Sequence, residues 1–172
     1  MKNFKLFILL IAFNSFSQEK IENLKINWPE EYQWKIGSNQ ETQQIHFMEI
    51  IPGNESVDSW TIIGTMMSIK GATGIPMDKA ISLMYEQTKA SAPKAQLTVI
   101  EKSETGKNHW ALFKIESPSF KGDKTPESQL YYIIQGESSL YSNFVAVKEK
   151  KLSSEFIEKW SKVFKSSELV FE

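Results

Sequence analysis

The chain has 172 residues, of which 41% are hydrophobic and 24% charged, and its formal net charge at pH 7 is −1. This length suits a single domain with a buried core. All of its basic residues are lysines. Since recognition of phosphate and guanine depends heavily on the arginine fork, the composition argues against nucleic-acid binding. The chain has no cysteine, which excludes disulfide bonds and a thiol nucleophile.

The first 17 residues have the pattern of a secretory signal peptide. Lys2 and Lys5 form a basic start, an apolar run follows over 6–13, and Ser15 and Ser17 provide the small residues before a cleavage site. The apolar run has roughly half of the ~20 residues that span a bilayer, so we expect cleavage and no transmembrane anchor afterwards. The mature chain would keep 18 lysines against 21 acidic residues. We therefore predict a periplasmic or secreted protein.

The mature chain is predicted to begin with a flexible lead-in over 18–27, followed by one domain over 28–172. Alternating residues over 32–36 indicate a short edge strand, 37–41 a turn, and 44–51 a second strand. The segment 59–69 carries apolar residues on both faces, which is typical of a central strand covered on both sides.

A helix is predicted next, beginning at Pro76, which suits a first helical position, with Asp78 in its first turn. One buried stripe is expected on it, formed by Met77, Ala80, Ile81, Met84, Tyr85 and Thr88. Pro93 ends the helical pattern.

Four strand-like segments follow, over 96–102, 108–116, 129–135 and 140–149. Their links are short and rich in turn residues, which favours consecutive antiparallel strands. A final helix is predicted after Ser153, a good N-cap residue, with Phe156, Trp160, Val163 and Phe164 facing the sheet. The order predicts an α+β fold in which an antiparallel sheet of about six to seven strands packs against one mid-chain and one C-terminal helix.

No catalytic or metal-binding constellation is evident in the sequence. Residues 136–140 contain the first Gly and the Ser of a G-x-S-x-G motif, but Leu140 replaces the second Gly and a hairpin is expected there. The loop 71–76 lacks the Lys-Ser/Thr ending of a phosphate loop. His46 and His109 lie in separate predicted strands without metal-ligand spacing. We therefore predict no catalytic residue, no metal and no cofactor.

The aromatic residues are the better candidates for binding. Trp28 and Trp34 lie in a polar N-terminal region and are candidates to line an exposed groove, and His109 and Trp110 are adjacent in one strand. We predict these four residues as contacts for a ligand or partner. In the segment 51–61, Pro52-Gly53 is instead interpreted as a turn that Glu55 and Ser56 order through local hydrogen bonds to its backbone.

Several short motifs resemble those of small exported bacterial proteins of uncharacterised function. They are the Pro52-Gly53 turn followed by Glu55-Ser56 and Trp60-Thr61, the sequence GESSLY at 136–141, and a closing helix that contains Trp160. The order of elements also resembles the PsbP-like fold. This resemblance implies a binding or accessory module and no enzyme class. It also implies a pair of cysteines in related proteins, one of them at the position that Ala92 occupies here.

The predicted function is that of an exported, non-enzymatic envelope protein that binds an envelope protein partner or a small apolar ligand. One alternative is a hydrolase-type enzyme that uses His46 or His109 with a carboxylate such as Glu49 or Glu116. Another is a surface-structural or stress protein without a small ligand.

Overall fold

Seven antiparallel strands form the central sheet of the computed structural model, which describes residues 21–172. The predicted signal peptide, residues 1–17, lies outside the described residues. The described residues contain nine strands. In chain order they are β1 (Glu22–Lys25), β2 (Lys35–Glu41), β3 (Ile45–Ile51), β4 (Ile62–Lys70), β5 (Gln96–Ser103), β6 (Trp110–Ser117), β7 (Glu127–Gln135), β8 (Ser139–Val147) and β9 (Glu168–Phe171). Of these, β2 to β8 form the central sheet. The two helices are α1 (Met77–Ser91) and α2 (Ser154–Lys165), and a 3₁₀ turn spans Glu30–Tyr32.

The order of strands in the large sheet is β2-β3-β4-β8-β7-β6-β5, and every pairing is antiparallel. Strands β1 and β9 form a separate two-stranded sheet. The helix α1 connects β4, in one half of the sheet, to β5 at the far edge. The α+β prediction, with one mid-chain helix and one C-terminal helix, is confirmed.

The two helices pack on opposite faces of the sheet. The α1 stripe buries Met77, Ala80, Ile81 and Met84 against a face that includes Phe113, Ile115, Tyr131 and Ile133. On the other face, α2 buries Trp160 and Phe164, neither of which is exposed at all, against Leu112, Tyr132 and Val145. Each large apolar side chain buried in this way stabilises the fold by roughly 1.5–3 kcal/mol before conformational entropy is subtracted.

The predicted start of the second helix is confirmed. Ser153 is the N-cap of α2, and its Oγ accepts a hydrogen bond from the backbone N–H of Phe156 at 3.1 Å. Pro76 was predicted to be the first residue of α1. The helix instead begins at Met77, and Pro76 is its N-cap.

Four segments of the chain differ from the predictions. Residues 22–25 form β1, where a flexible lead-in over 18–27 was expected, and β9 was not predicted at all. Each of these four-residue strands is defined by its pairing with the other end of the chain, which a local pattern does not reveal. The predicted turn over 37–41 belongs to β2, because pairing with β3 extends that strand, and the predicted strand over 32–36 begins in the 3₁₀ turn.

Candidate functional site

A cavity of about 240 Å³ lies between α1 and the strands β3, β4, β7 and β8. Its apolar lining consists of Phe47, Met67, Met84, Phe120, Tyr131 and Phe144. Its polar lining consists of Thr65, Gln87, Thr88, Ser91, Gln129 and Ser142. Gln87 and Ser91 are exposed on α1, so the cavity opens to solvent along that helix.

Strand register explains why these side chains share one face. Thr65 of β4 lies opposite Phe144 of β8, which in turn lies opposite Tyr131 of β7. In the next row, Met67 of β4 lies opposite Ser142 of β8. Because side chains alternate between faces along a strand, these residues all point toward the α1 side.

Three buried polar atoms at this cavity have no hydrogen-bond partner among the described residues: Thr65 Oγ1, Ser142 Oγ and Gln129 Oε1. The residues Thr65 and Ser142 are each only 1% exposed. An unpaired polar atom in such a place costs free energy, and most buried polar groups in proteins are paired. Three such atoms around one cavity make it the strongest candidate for a binding site, although Trp28 Nε1 and Trp160 Nε1 in the core beneath α2 are also unpaired among the described residues.

The amide of Gln129 has a fixed orientation. Its Nε2 donates a hydrogen bond to Glu127 Oε1 at 2.6 Å, which leaves Oε1 as the unpaired atom. Burial raises the pKa of Glu127 above its ordinary value, and the hydrogen bond from Gln129 acts in the opposite direction. Gln129 therefore contributes a buried, unpaired acceptor oxygen beside the cavity.

The helix side of the cavity has its hydroxyl groups already paired. Thr88 Oγ1 donates to the carbonyl oxygen of Met84 at 3.1 Å, and Ser91 Oγ donates to the carbonyl oxygen of Thr88 at 3.0 Å. Burial also raises the pKa of Tyr131 well above its ordinary value, so its phenol stays neutral. The unpaired hydroxyl groups of the cavity are therefore those of Thr65 and Ser142 on the sheet side, while Gln87 offers an exposed amide on the helix side.

The lining of this cavity carries no charged side chain. An ion placed there would lose its hydration without gaining a counter-charge, which is costly in a partly apolar environment. The chemistry of the site therefore favours a neutral molecule that is mostly apolar and has polar groups along one edge.

A larger groove, of about 650 Å³ and with charged residues in its lining, lies where β1 meets the ends of β4 and β8. The carboxylate of Glu22 is held there by the backbone N–H of Glu137 at 2.6 Å and by the N–H and hydroxyl of Ser138, each at 3.1 Å. Lys70 pairs with Glu41 at 2.6 Å. The charged groups named here therefore have partners within the groove. The hydrogen bonds of Glu22 fasten β1 to the hairpin between β7 and β8.

Two of the four predicted contact residues, Trp28 and Trp34, lie on the opposite face from the cavity. Their ring centroids are 5.5 Å apart, and the Trp28 centroid is 5.7 Å from that of Trp160 in α2. The Trp34 Nε1–H donates to the carbonyl oxygen of Pro29 at 2.9 Å. Both rings are half-buried in the core beneath α2.

The other two predicted contact residues lie at the beginning of β6. The carbonyl oxygen of His109 accepts the backbone N–H of Gln135 at 2.8 Å. The Trp110 ring packs 5.9 Å from Tyr132, and Lys165 Nζ lies 5.2 Å from the Trp110 centroid. None of the four predicted residues lines the 240 Å³ cavity, and their role as ligand or partner contacts stays a prediction.

Glu49 and Glu116, the carboxylates named for the hydrolase alternative, are not brought to a histidine, whereas Glu41 lies directly opposite His46. His46 is four strands away from the beginning of β6, near His109, which corresponds to roughly 19 Å at the usual strand spacing. His46 and Glu49 are three residues apart in β3, so their side chains point to opposite faces. His109 and Glu116 lie near opposite ends of β6.

The turn before β4 is ordered locally, as the sequence analysis predicted. Glu55 accepts the backbone N–H of Thr61 at 2.7 Å and its hydroxyl at 2.6 Å. Trp60 is only half-buried, and the Lys148 ammonium lies 4.7 Å from its ring centroid. Trp60 lies two residues before the first residue of β4, outside the strand in which it was expected.

Two further absences concern residues 21–172. No group of three or more His, Cys, Asp and Glu side chains is placed to hold a metal ion in that part of the chain. Its helices also include none with the length and apolarity that crossing a bilayer requires. In comparisons with known proteins, no family model matches the chain, and no curated protein matches it.

Sequence reasoning missed Thr65, Gln129 and Ser142. A signal was nevertheless present, because Thr65 and Ser142 interrupt strands whose remaining residues are mostly apolar. Whether such a residue faces solvent or a cavity depends on what covers the strand. That information comes only from the position of α1.

Proposed function

We propose that this protein is an exported, non-enzymatic binding module whose ligand is a small neutral molecule with an apolar body and a polar edge. The observation that carries the proposal is the set of three unpaired polar atoms, on Thr65, Gln129 and Ser142, along one wall of the cavity. Export is proposed from the signal-peptide pattern over residues 1–17.

The side chains that line the cavity support this choice of ligand class. The apolar body would contact Phe47, Met67 and Phe144, while the polar edge faces the sheet. Gln129 Oε1 requires a donor from the ligand, and the hydroxyls of Thr65 and Ser142 either donate or accept. A volume of about 240 Å³ exceeds the ~150 Å³ of an engineered cavity that accepts benzene, so one ring with a short substituent fits.

A matched set of three probes tests the proposal: p-cresol, toluene and 4-methylbenzoate. They share a methylphenyl body and differ in having a neutral donor, no polar group and a negative charge. Each probe is titrated into the protein, and its binding is measured from the shifts of the Met67 and Met84 methyl signals in NMR spectra. We expect p-cresol to bind most tightly, with a Kd below about 1 mM, toluene more weakly, and the anion most weakly.

Two variants show whether p-cresol binding depends on the polar wall of the cavity, which consists of Thr65, Gln129 and Ser142. Ser142→Ala and Thr65→Val each remove one hydroxyl with little change in shape. We expect each to weaken p-cresol binding by roughly 2- to 10-fold, which corresponds to one net hydrogen bond, and to leave toluene binding unchanged. The proposal is wrong if no probe shifts the Met67 and Met84 methyls, or if 4-methylbenzoate binds most tightly.

A further inference from the structure

A second group of side chains with binding chemistry lies on the opposite face of the sheet, where β3 pairs with β4. Met48 lies directly opposite Met66, and His46 is two residues before Met48, so the three side chains point to the same face. Directly opposite residues in such a pair have Cβ atoms ~4.5–5.5 Å apart, and diagonal neighbours ~7–8 Å. All three residues are half-buried and line one small cavity of about 120 Å³.

Core packing does not account for the two methionines. Within the described part of the chain, Met48 and Met66 neither belong to a hydrophobic core cluster nor pack against one. Their neighbour Met67 points to the other face and packs against the core beneath α1. Two flexible thioethers therefore lie beside an imidazole at a partly open position.

The imidazole of His46 is oriented by a neighbouring amide. Its Nε2 lies 2.9 Å from Asn39 Oδ1, and because an amide oxygen only accepts, this contact is a hydrogen bond in the tautomer whose proton is on Nε2. The lone pair of Nδ1 is then available to a ligand. A hydrogen bond from one ring nitrogen that fixes the tautomer of the other is typical of metal-binding histidines.

We propose that His46, Met48 and Met66 form a binding site for a soft monovalent cation, and specifically for Cu(I). Thioether sulfur is a soft ligand that selects Cu(I), while imidazole binds copper well. All three ligands are neutral. Lys70 and Glu41, which line the neighbouring groove with His46, pair at 2.6 Å and together contribute no net charge, which favours a monovalent ion over Zn²⁺.

The first test measures Cu(I) affinity by competition with a chromophoric chelator, anaerobically and with excess ascorbate, on protein purified without a histidine tag. We expect one Cu(I) per chain. The Met48→Leu/Met66→Leu double variant, which nearly conserves side-chain volume, should lose at least about tenfold in affinity because it removes two soft ligands. Asn39→Ala should lose about 10- to 100-fold because His46 is no longer oriented.

Met77→Leu is the matched control, since it changes a methionine of α1 that is buried against the opposite face of the sheet and lines neither cavity, and its Cu(I) affinity should equal that of the wild type. Ag(I), a redox-stable soft cation, should shift the methyl signals of Met48 and Met66 in NMR spectra but not that of Met77. Thermal unfolding of each variant checks that the fold is intact. The proposal is overturned if the folded double variant keeps wild-type Cu(I) affinity, or if Zn²⁺ binds these residues more tightly than Cu(I).

Discussion

Thr65→Val is expected to stabilise the free protein, although it changes a residue that is only 1% exposed. The Thr65 hydroxyl has no partner among the described residues, and an unpaired buried polar group costs about 1–3 kcal/mol. Valine has the same shape, and its extra methyl adds up to ~0.8 kcal/mol of apolar burial. We therefore expect the free energy of unfolding to rise by about 1–3 kcal/mol, which in a domain of this size raises Tm by roughly 2–12 °C.

The matched control is Thr88→Val, on the helix side of the same cavity. The Thr88 hydroxyl donates to the carbonyl oxygen of Met84, so its removal should lower the free energy of unfolding by about 0.5–1.5 kcal/mol. Urea unfolding followed by tryptophan fluorescence measures both variants in the absence of ligand. A Thr65→Val variant that is less stable than the wild type would mean that the hydroxyl is paired, and the argument for the polar wall would fail.

Three further substitutions test other parts of the structure. Gly136→Ala places a Cβ against the Glu22 carboxylate and should cost about 2–4 kcal/mol in chemical unfolding, but little in a Glu22→Ala background. Burial raises the pKa of Glu49 above 4.5, so the folded state binds that proton more tightly and stability falls as pH rises from 4.5 through the folded pKa. Glu49→Gln should therefore gain stability relative to the wild type over that range, measured as Tm against pH. Ser153→Ala removes the α2 N-cap and should cost about 1 kcal/mol in urea unfolding.

Much of the fold was predictable because local patterns and short turns specify it. The stripe of α1, the Ser153 cap and the four consecutive strands after Pro93 all depend on residues close in sequence. The pairing of β1 with β9 was not predictable, because it joins Glu22 to Phe171 across almost the whole chain. The GESSLY motif shows the same limit. Its backbone amides donate hydrogen bonds to the Glu22 carboxylate, and no local sequence pattern predicts that partner.

The candidate site was much less predictable than the fold. Trp28 and Trp34 were predicted as contact residues because tryptophan is often found in binding sites. In the structure both rings pack beneath α2 with Trp160. Thr65 and Ser142 are ordinary strand residues until β4 and β8 are paired and α1 covers part of their face. A polar atom is recognised as unpaired only when all of its neighbours are known, so this property arises from tertiary structure.

The most direct test of the proposed ligand site is a measurement of intermolecular NOEs between p-cresol and the methionine methyl groups of the wild-type protein. The account predicts NOEs from the p-cresol ring to the methyls of Met67 and Met84, which line the cavity beneath α1. It predicts none to Met48 or Met66, on the opposite face of the sheet. NOEs to Met48 and Met66 alone, or no NOE to any methionine at saturating p-cresol, would contradict the account.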